Sequence, residues 1–252
     1  MENRTEPPRP TEGGEMTSTP SPERLRDLTI NLVRSIGPNW HRHSLVAMRV
    51  EALARLLYYN NLYQMIVDVP GVICEFGVQW GATMTELINL RNIYEPFNVS
   101  RTIIGFDTFE GFPSVHAMDG GHSSVGDYNS MPGYEEQLEE ILALHESFGA
   151  LSSPRRFSLV KGDVSVTAPA WLEENPHAIV SMAIFDLDLY QPTKDALEAI
   201  RPRLVKGSLL VFDELNCARF PGETRALDEV MGLGNLTLRR SPLQPFCAWA
   251  VV

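Results

Sequence analysis

The chain has 252 residues, a formal net charge of −11 and a sequence pI near 5.0. No basic run occurs in it, which excludes nucleic acid and anionic membrane as expected partners, and no apolar run approaches the roughly 18 residues of a membrane span. The three cysteines are far apart and odd in number, which is typical of reduced thiols in a cytoplasmic protein.

The N-terminal region predicts an unstructured tail followed by helices. Residues 1–22 carry Pro, Glu, Thr, Ser and Gly with almost nothing apolar and lack the apolar centre of a signal peptide, so we expect disorder there. Residues 23–69 are expected to form a helical cap, in which apolar residues recur at i, i+4, i+7 and i+11 on one helical face: Val46, Val50, Leu53 and Leu57. The cap has more apolar surface than a simple cover needs, so we expect self-association into a homo-oligomer.

Residues 70–252 are expected to form the main domain, because apolar strand-like runs alternate there with helical patterns. The expected strands are residues 72–76, 102–106, 157–160, 179–185 and 209–212. Two last apolar pieces, 236–238 and 246–252, have no helix between them, which predicts a closing antiparallel hairpin. The pattern predicts an α/β fold: a Rossmann-like doubly wound sheet with an antiparallel C-terminal hairpin and an N-terminal helical extension.

One long segment, residues 111–133, interrupts this alternation. It contains glycines, serines, His116 and His122, with little periodicity. A loop of this length inside a compact domain is usually a lid or a binding loop. Both a substrate contact and simple solvation stay open for the two histidines, and solvated loop histidines are the commoner case.

Two acidic pairs carry the most specific chemical signal. Asp186 and Asp188 follow the fourth expected strand, and Asp213 and Glu214 follow the fifth. Because open α/β sheets bind ligands at the carboxyl ends of their strands, we expect these side chains to meet at one edge. Four carboxylates there would repel one another unless positive charge lies among them, and a hard divalent cation such as Mg²⁺ is the economical answer. A solvated turn is the alternative for either pair alone.

Three further features in strand order favour an adenosine-bearing ligand. Gly77 and Gly81 follow the first strand and open a helix, where glycine lets the backbone approach a ligand. Asp107 ends the second strand and can accept hydrogen bonds from a ribose diol, and Asp163, after Gly162, can contact an adenine amino group. Individually these could be a tight turn, a helix cap and a β-turn. Together they indicate adenosine without a pyrophosphate.

Four ordered stretches resemble the macrocin O-methyltransferase family: residues 62–63, 69–78, 105–113 and 186–190, the last followed by Thr193, Ala196 and Leu197. The similarity covers about residues 50 to 252. It implies the class I methyltransferase fold and a Mg²⁺-dependent enzyme that transfers a methyl group from S-adenosylmethionine to a deoxysugar hydroxyl. A nucleotide-linked rhamnose is the expected substrate, in the biosynthesis of a natural product such as an enediyne antibiotic.

The resemblance also implies roles for individual residues. Asp188 would be the general base, and the metal ligands would be Asp186, Asp213 and Glu214, the last departing from a second aspartate in the family. The residues implied to contact the cofactor are Glu75, Phe76, Gly77, Gly81, Thr83, Asp107, Thr108, Phe109, Gly162, Asp163, Val164 and Asp186.

Three other functions fit parts of the pattern. A glycosyltransferase could hold a sugar-nucleotide diphosphate with a metal at Asp186 and Asp188, but Asp107 and Asp163 would then be unexplained. A catechol O-methyltransferase shares the metal chemistry. A degenerate binding scaffold would be expected to lack at least one of the metal acids, and all four are present. Which hydroxyl is methylated, and whether the sugar is carried by a nucleotide or by an aglycone, stays open.

Overall fold

The computed structural model describes residues 22–151 and 153–252. The predicted tail, residues 1–22, therefore lies outside the described residues except for Pro22, which begins the first helix. The chain divides into two compact units between Val50 and Glu51. None of the described helices is both long enough and apolar enough to cross a membrane.

The described part of the first unit is helical. Helix α1 (Pro22–Ile36) is followed by two short 3₁₀ helices, Gly37–Arg42 and Ser44–Ala47. The expected single helical face from Val46 to Leu57 is wrong at its start. Met48 has an extended backbone, with ψ of 122°, so it separates Val46 from the next helix.

The second unit is a seven-stranded sheet in the order β3-β2-β1-β4-β5-β7-β6. Its strands are β1 (Val72–Phe76), β2 (Ile103–Asp107), β3 (Phe157–Lys161), β4 (Val180–Phe185), β5 (Leu204–Phe212), β6 (Arg239–Arg240) and β7 (Ala248–Val251). Its helices are α2 (Val50–Ile66), α3 (Ala82–Tyr94), α4 (Tyr134–Ser147), α5 (Val164–Glu174), α6 (Tyr190–Ile200) and α7 (Gly222–Met231). Strands β1 to β5 are parallel and β7 is antiparallel to β5 and β6. The predicted doubly wound sheet and closing hairpin are confirmed.

The first arm of the hairpin begins later than expected. Leu236 is not in a strand: it caps the 3₁₀ helix Leu233–Asn235, and its half-buried side chain packs against the apolar cluster on one face of the sheet. Only Arg239 and Arg240 pair with β7, opposite Trp249 and Ala248. The sheet therefore ends in a two-residue charged strand, a common way to protect an exposed sheet edge.

Helix α2 belongs to the core of the sheet unit rather than to a separate cap. Its buried residues are Tyr58, Tyr59, Leu62, Tyr63 and Ile66, and they join the apolar cluster on one face of the sheet. Leu53 and Leu57, which the sequence pattern singles out, are instead 45% and 41% exposed. The buried face of α2 is thus formed mainly by aromatic residues that lie about one turn closer to the C-terminus of the helix.

A row of stacked phenylalanines lies directly beneath the carboxyl edge. Phe76, Phe106, Phe185 and Phe212 are register partners on β1, β2, β4 and β5, with neighbouring ring centroids 4.8–5.1 Å apart. All four rings are fully or almost fully buried. This packing helps to set the position of the residue that follows each ring at the carboxyl edge. Those following residues are Gly77, Asp107, Asp186 and Asp213.

Gly77 allows the ends of β1 and β4 to touch. Its φ is +91°, and a Cβ atom there would lie 1.8 Å from the Asp186 carbonyl oxygen. Gly133 offers a matched control, since its φ is +75° but a Cβ atom would meet nothing within 4 Å. We expect Gly133→Ala to cost about 1–2 kcal/mol of unfolding free energy from backbone strain alone. Gly77→Ala should cost at least about 3 kcal/mol, because the clash adds to the strain. Equal losses in urea unfolding would contradict this account of the strand ends.

Candidate active site

A cavity of about 400 Å³ lies at the carboxyl edge of the sheet. Most of the residues expected from the sequence line it: Glu75, Gly77, Thr83, Asp107, Thr108, Gly162, Asp163, Val164, Asp186, Asp188, Asp213 and Glu214. The two acidic pairs and the adenosine-type features therefore share one cavity, the main cavity. This is the convergence that the strand-end argument predicts.

Three residues expected to contact the cofactor do not line the main cavity. The Phe76 ring is fully buried in the phenylalanine row. The Phe109 ring is also buried and packs into the apolar core. Gly81 begins α3, and a Cβ atom there would lie 2.3 Å from the Leu138 side chain, so its small size serves helix packing. Each of the three shapes the cavity from behind.

The acid at the end of β2 organises the neighbouring turn. One Asp107 oxygen accepts hydrogen bonds from the backbone N–H groups of Val78 and Gln79, at 2.6 and 2.7 Å. The other accepts from the Phe109 N–H at 2.6 Å. Asp107 thus fixes the glycine turn after β1 and still faces the cavity. Gln79 has a φ of +47°, an unusual value for a residue with a side chain, and this bond helps to hold it.

Asp163 has the structural role that the sequence left open, and also faces the cavity. Its side chain accepts a 3.0 Å hydrogen bond from the Ser165 N–H and so caps the N-terminus of α5. Its neighbours Gly162 and Val164 line the same wall. A capping role leaves lone pairs of the carboxylate free for a ligand, since only one bond to its side chain occurs in the described chain.

Arg55 on α2 supplies positive charge among the acids. Its guanidinium lies 3.5 Å from Asp186 Oδ2 and 3.6 Å from Asp213 Oδ1, and it donates a 2.7 Å hydrogen bond to Thr83 Oγ1. The guanidinium carbon also lies 5.0 Å from the centre of the Tyr59 ring. Arg55 was not predicted from the sequence. The pattern that could have indicated it is a cation at position i of the helix, with Tyr59 at i+4 and Leu62 at i+7 on the buried face of α2.

The acids remain strongly perturbed even with Arg55 present. Desolvation, followed by repulsion from Asp213, raises the pKa of Asp186 to about 8. Desolvation, with Glu214 and Asp213, raises the pKa of Asp188 to about 7. Burial raises the pKa of Glu75 well above its usual range, and one of its oxygens is buried without a hydrogen-bond partner in the described chain. Burial and the closeness of the carboxyl groups therefore both favour their protonated forms.

A second missed residue, Glu223, positions the loops that carry the acids. It lies in the first turn of α7 and is fully buried. One carboxyl oxygen accepts from the backbone N–H groups of Leu187 and Asp188, at 3.2 and 3.4 Å, and the other from the Glu214 N–H at 3.2 Å. Asp188 has a φ of +61°, so this clamp holds a strained residue in place.

The expected lid is attached at its centre. Asp119 is 1% exposed, and its carboxylate accepts 2.6 Å hydrogen bonds from the N–H groups of Tyr190 and His116. At the base of the segment, the Phe112 N–H donates to the Asp127 carbonyl oxygen. Phe112 also lines the main cavity, whereas His116 stacks near Tyr190 instead. Opening as a single rigid lid would require breaking the bond between Asp119 and Tyr190, because the bond to His116 lies within the segment itself.

The predicted metal ligands have suitable chemistry but do not form a closed cage. Asp186, Asp213 and Glu214 present carboxylate oxygens, the ligand type that hard cations prefer, and one Glu214 oxygen is buried without a partner in the described chain. Within residues 22–151 and 153–252, no group of three or more potential ligands is arranged to hold a metal ion. Arg55 lies between two of the three acids. Metal binding therefore requires this guanidinium to move or to share them.

The chain belongs to the macrocin O-methyltransferase (TylF) family, whose model matches residues 28–231. Its structure is similar to that of CalS11, a calicheamicin methyltransferase, with a TM-score of 0.86 and 39% identity over 97% of this chain and 99% of that one. A second structure of CalS11, described as a TDP-rhamnose 3'-O-methyltransferase, gives a TM-score of 0.79 and 38% identity, over 93% of this chain and 96% of that one. The family expected from the sequence is confirmed, and so is the class I methyltransferase fold.

A curated relative from Streptomyces olivaceus is a 4'-O-methyltransferase of 8-demethyl-8-(2,3-dimethoxy-α-L-rhamnosyl)-tetracenomycin C. It is 29% identical over 192 residues, which are 72% of this chain and 66% of the relative. The match thus spans just under two thirds of that relative's length. The O-methyltransferase NovP, at 18% identity and a TM-score of 0.56 over 79% of each chain, shows the shared fold alone.

The Glu223 clamp leads to a stability prediction. Glu223→Gln replaces one acceptor oxygen with a donor group, so at least one of the three backbone N–H groups loses its partner. We expect a loss of about 1–3 kcal/mol in unfolding free energy, with faster hydrogen exchange at the amides of Leu187, Asp188 and Glu214. Glu173→Gln, at an exposed position on α5, is the control and should change neither quantity. Unchanged exchange at those three amides would rule out the clamp.

Proposed function

We propose that the protein is an O-methyltransferase that moves a methyl group from S-adenosylmethionine to a hydroxyl of a nucleotide-linked deoxysugar, with rhamnose the best-supported sugar. The observation that carries the proposal is the main cavity itself. It combines a glycine turn, acids at the ends of β2 and β3, and an acidic group at the ends of β4 and β5. CalS11 acts on TDP-rhamnose and the Streptomyces relative on a rhamnosyl compound, so both named substrates contain this sugar.

The cofactor fits along the side of the cavity formed by β1, β2 and β3. Glu75, with its unpaired buried oxygen, and Thr83 would hold the methionine part. Asp107 would accept hydrogen bonds from the ribose, and Asp163 would contact the adenine. Gly77 lines the cavity at the turn after β1, and its missing side chain accommodates the end of β4. These assignments follow strand order and the wall of the cavity.

A divalent cation, most simply Mg²⁺, would be held by Asp186, Asp213 and Glu214. When bound, it would lower the pKa of a coordinated sugar hydroxyl and orient that hydroxyl. Asp186, Asp213 and Glu214 line the cavity beside the single guanidinium of Arg55, which supports a second positive charge here. Before the cation binds, Arg55 would form ion pairs with Asp186 and Asp213.

Asp188 would act as the general base. S-adenosylmethionine, when bound, would supply the activated methyl group for the sugar oxygen and leave as S-adenosylhomocysteine, and the Asp188 carboxylate would accept the hydroxyl proton. The side chain lines the main cavity, and Glu223 fixes its backbone. Position matters because the sulfonium methyl is already activated, so the enzyme has mainly to orient and deprotonate the nucleophile.

Turnover of labelled S-adenosylmethionine with TDP-rhamnose tests this assignment. Asp188→Asn should lower kcat by about 10²–10⁴-fold, because the positioned base is lost, while the affinity for S-adenosylhomocysteine stays within about twofold. Glu198→Gln, an equivalent charge change at an exposed position on α6, should leave both values unchanged. Near-normal kcat in Asp188→Asn would refute its role as base. No turnover by the unaltered enzyme with TDP-rhamnose would refute the proposed substrate.

A further inference from the structure

A second cavity, of about 320 Å³, adjoins the main cavity. Its lining residues are His122, Asp127, Tyr128, Arg219 and Phe220, and we call it the His122–Arg219 cavity. Tyr128 lines both cavities, so the two meet at its side chain. The methyl-transfer chemistry proposed above uses none of these five residues. A substrate longer than a single sugar, with its acceptor hydroxyl in the main cavity, would extend into this space.

Arg219 places uncommitted positive charge in this second space. Its side chain is exposed, and no salt bridge of its guanidinium occurs within the part of the chain that the structure describes. It nevertheless acts electrostatically on Asp188 and Glu214, favouring the ionised form of both. Its guanidinium carbon lies 5.2 Å from the centre of the Phe220 ring. Arg219 is therefore near the acceptor end of the main cavity and free to bind an anion.

The other polar groups of the second cavity are compatible with an anion. His122 is exposed and can donate a hydrogen bond from its imidazole. The Asp127 carboxylate also lines this cavity and accepts a 2.8 Å hydrogen bond from the Ser124 N–H, and its negative charge opposes part of the attraction that Arg219 offers to an anion. Aromatic rings border the charged groups, namely Tyr128, which is half exposed, and Phe220, which is buried. The lining of the second cavity thus includes a guanidinium, an imidazole and aromatic ring faces.

We propose that the His122–Arg219 cavity binds the diphosphate of a sugar nucleotide, with Arg219 as the main phosphate ligand and His122 as a second donor. A protein with a net charge of −11 and an acidic main cavity would otherwise repel such a substrate. Guanidinium groups match phosphate geometry and form charge-assisted hydrogen bonds to it. The sugar then lies between Asp188 and Arg219, with its hydroxyls towards the acids.

This inference rests on the proposed function and narrows its substrate. The named substrate of CalS11 is a nucleotide sugar, whereas the named substrate of the Streptomyces olivaceus enzyme contains no phosphate. A cavity built around Arg219 favours the first kind of acceptor for this chain. A rhamnoside on a neutral aglycone would gain nothing from the uncommitted guanidinium.

The test compares Arg219→Gln with the unaltered enzyme in three measurements: steady-state kinetics with TDP-rhamnose, inhibition by TDP, and binding of S-adenosylhomocysteine. We expect the KM for TDP-rhamnose and the inhibition constant of TDP to rise together by about 10–100-fold, because a charge-assisted bond is lost. kcat should change much less, and affinity for S-adenosylhomocysteine should not change.

Thymidine, which lacks the diphosphate, should inhibit both proteins equally weakly. Arg225→Gln, the same charge change at an exposed position on α7, is the control and should behave like the unaltered enzyme.

The outcomes separate this inference from the proposed function. If Arg219→Gln keeps the KM for TDP-rhamnose and the inhibition by TDP, the diphosphate site is wrong while the methyltransferase assignment stands. The same holds if the unaltered enzyme binds S-adenosylhomocysteine but is not inhibited by TDP. If it fails to bind S-adenosylhomocysteine, the proposed function itself is wrong. Equal effects of Arg219→Gln and Arg225→Gln would show only a general dependence on net charge, and would overturn the site.

Discussion

Mutual repulsion among carboxylates is the constraint on which this site depends. Asp186, Asp188, Asp213 and Glu214 leave two adjacent parallel strands at the same edge and enter one cavity. Such a group is stable only if positive charge lies among its members. The Arg55 guanidinium lies within 3.6 Å of Asp186 and Asp213 and supplies one such charge, while burial and the neighbouring carboxylates raise the pKa values of Asp186 and Asp188.

The scaffold holds the acids together against this repulsion from two sides. Beneath them, the stacked phenylalanine row aligns the strand ends, so the positions of the following residues are set by apolar packing. Behind them, Glu223 binds the backbone of both acidic loops, while Asp119 ties the long loop to the start of α6. Apolar packing and buried backbone contacts therefore offset a local electrostatic cost. If the two proposals above hold, a cation at the acids and an anion at Arg219 would bind side by side.

Much of the fold and the acidic site could be predicted from the sequence, because both depend on local patterns. Apolar runs fixed the strands, and the alternation with helices placed Asp186 and Asp213 at one edge. Arg55 and Glu223 were not predicted, because they act through tertiary contacts, such as those to Asp186 and Leu187, that no local pattern encodes. The predicted helical face starting at Val46 was wrong for a related reason. The extended backbone at Met48 interrupts a periodicity that the side chains alone suggested.

Calorimetric titration of Mg²⁺ into the protein with bound S-adenosylhomocysteine tests the proposal that the acids share a bound cation. The account predicts one magnesium ion per chain, with affinity reduced at least about tenfold in Asp213→Asn, because a ligand is lost. An enzyme that binds S-adenosylhomocysteine, yet takes up neither Mg²⁺ nor Mn²⁺, would contradict it. Arg55 would then be the resident cation of the site.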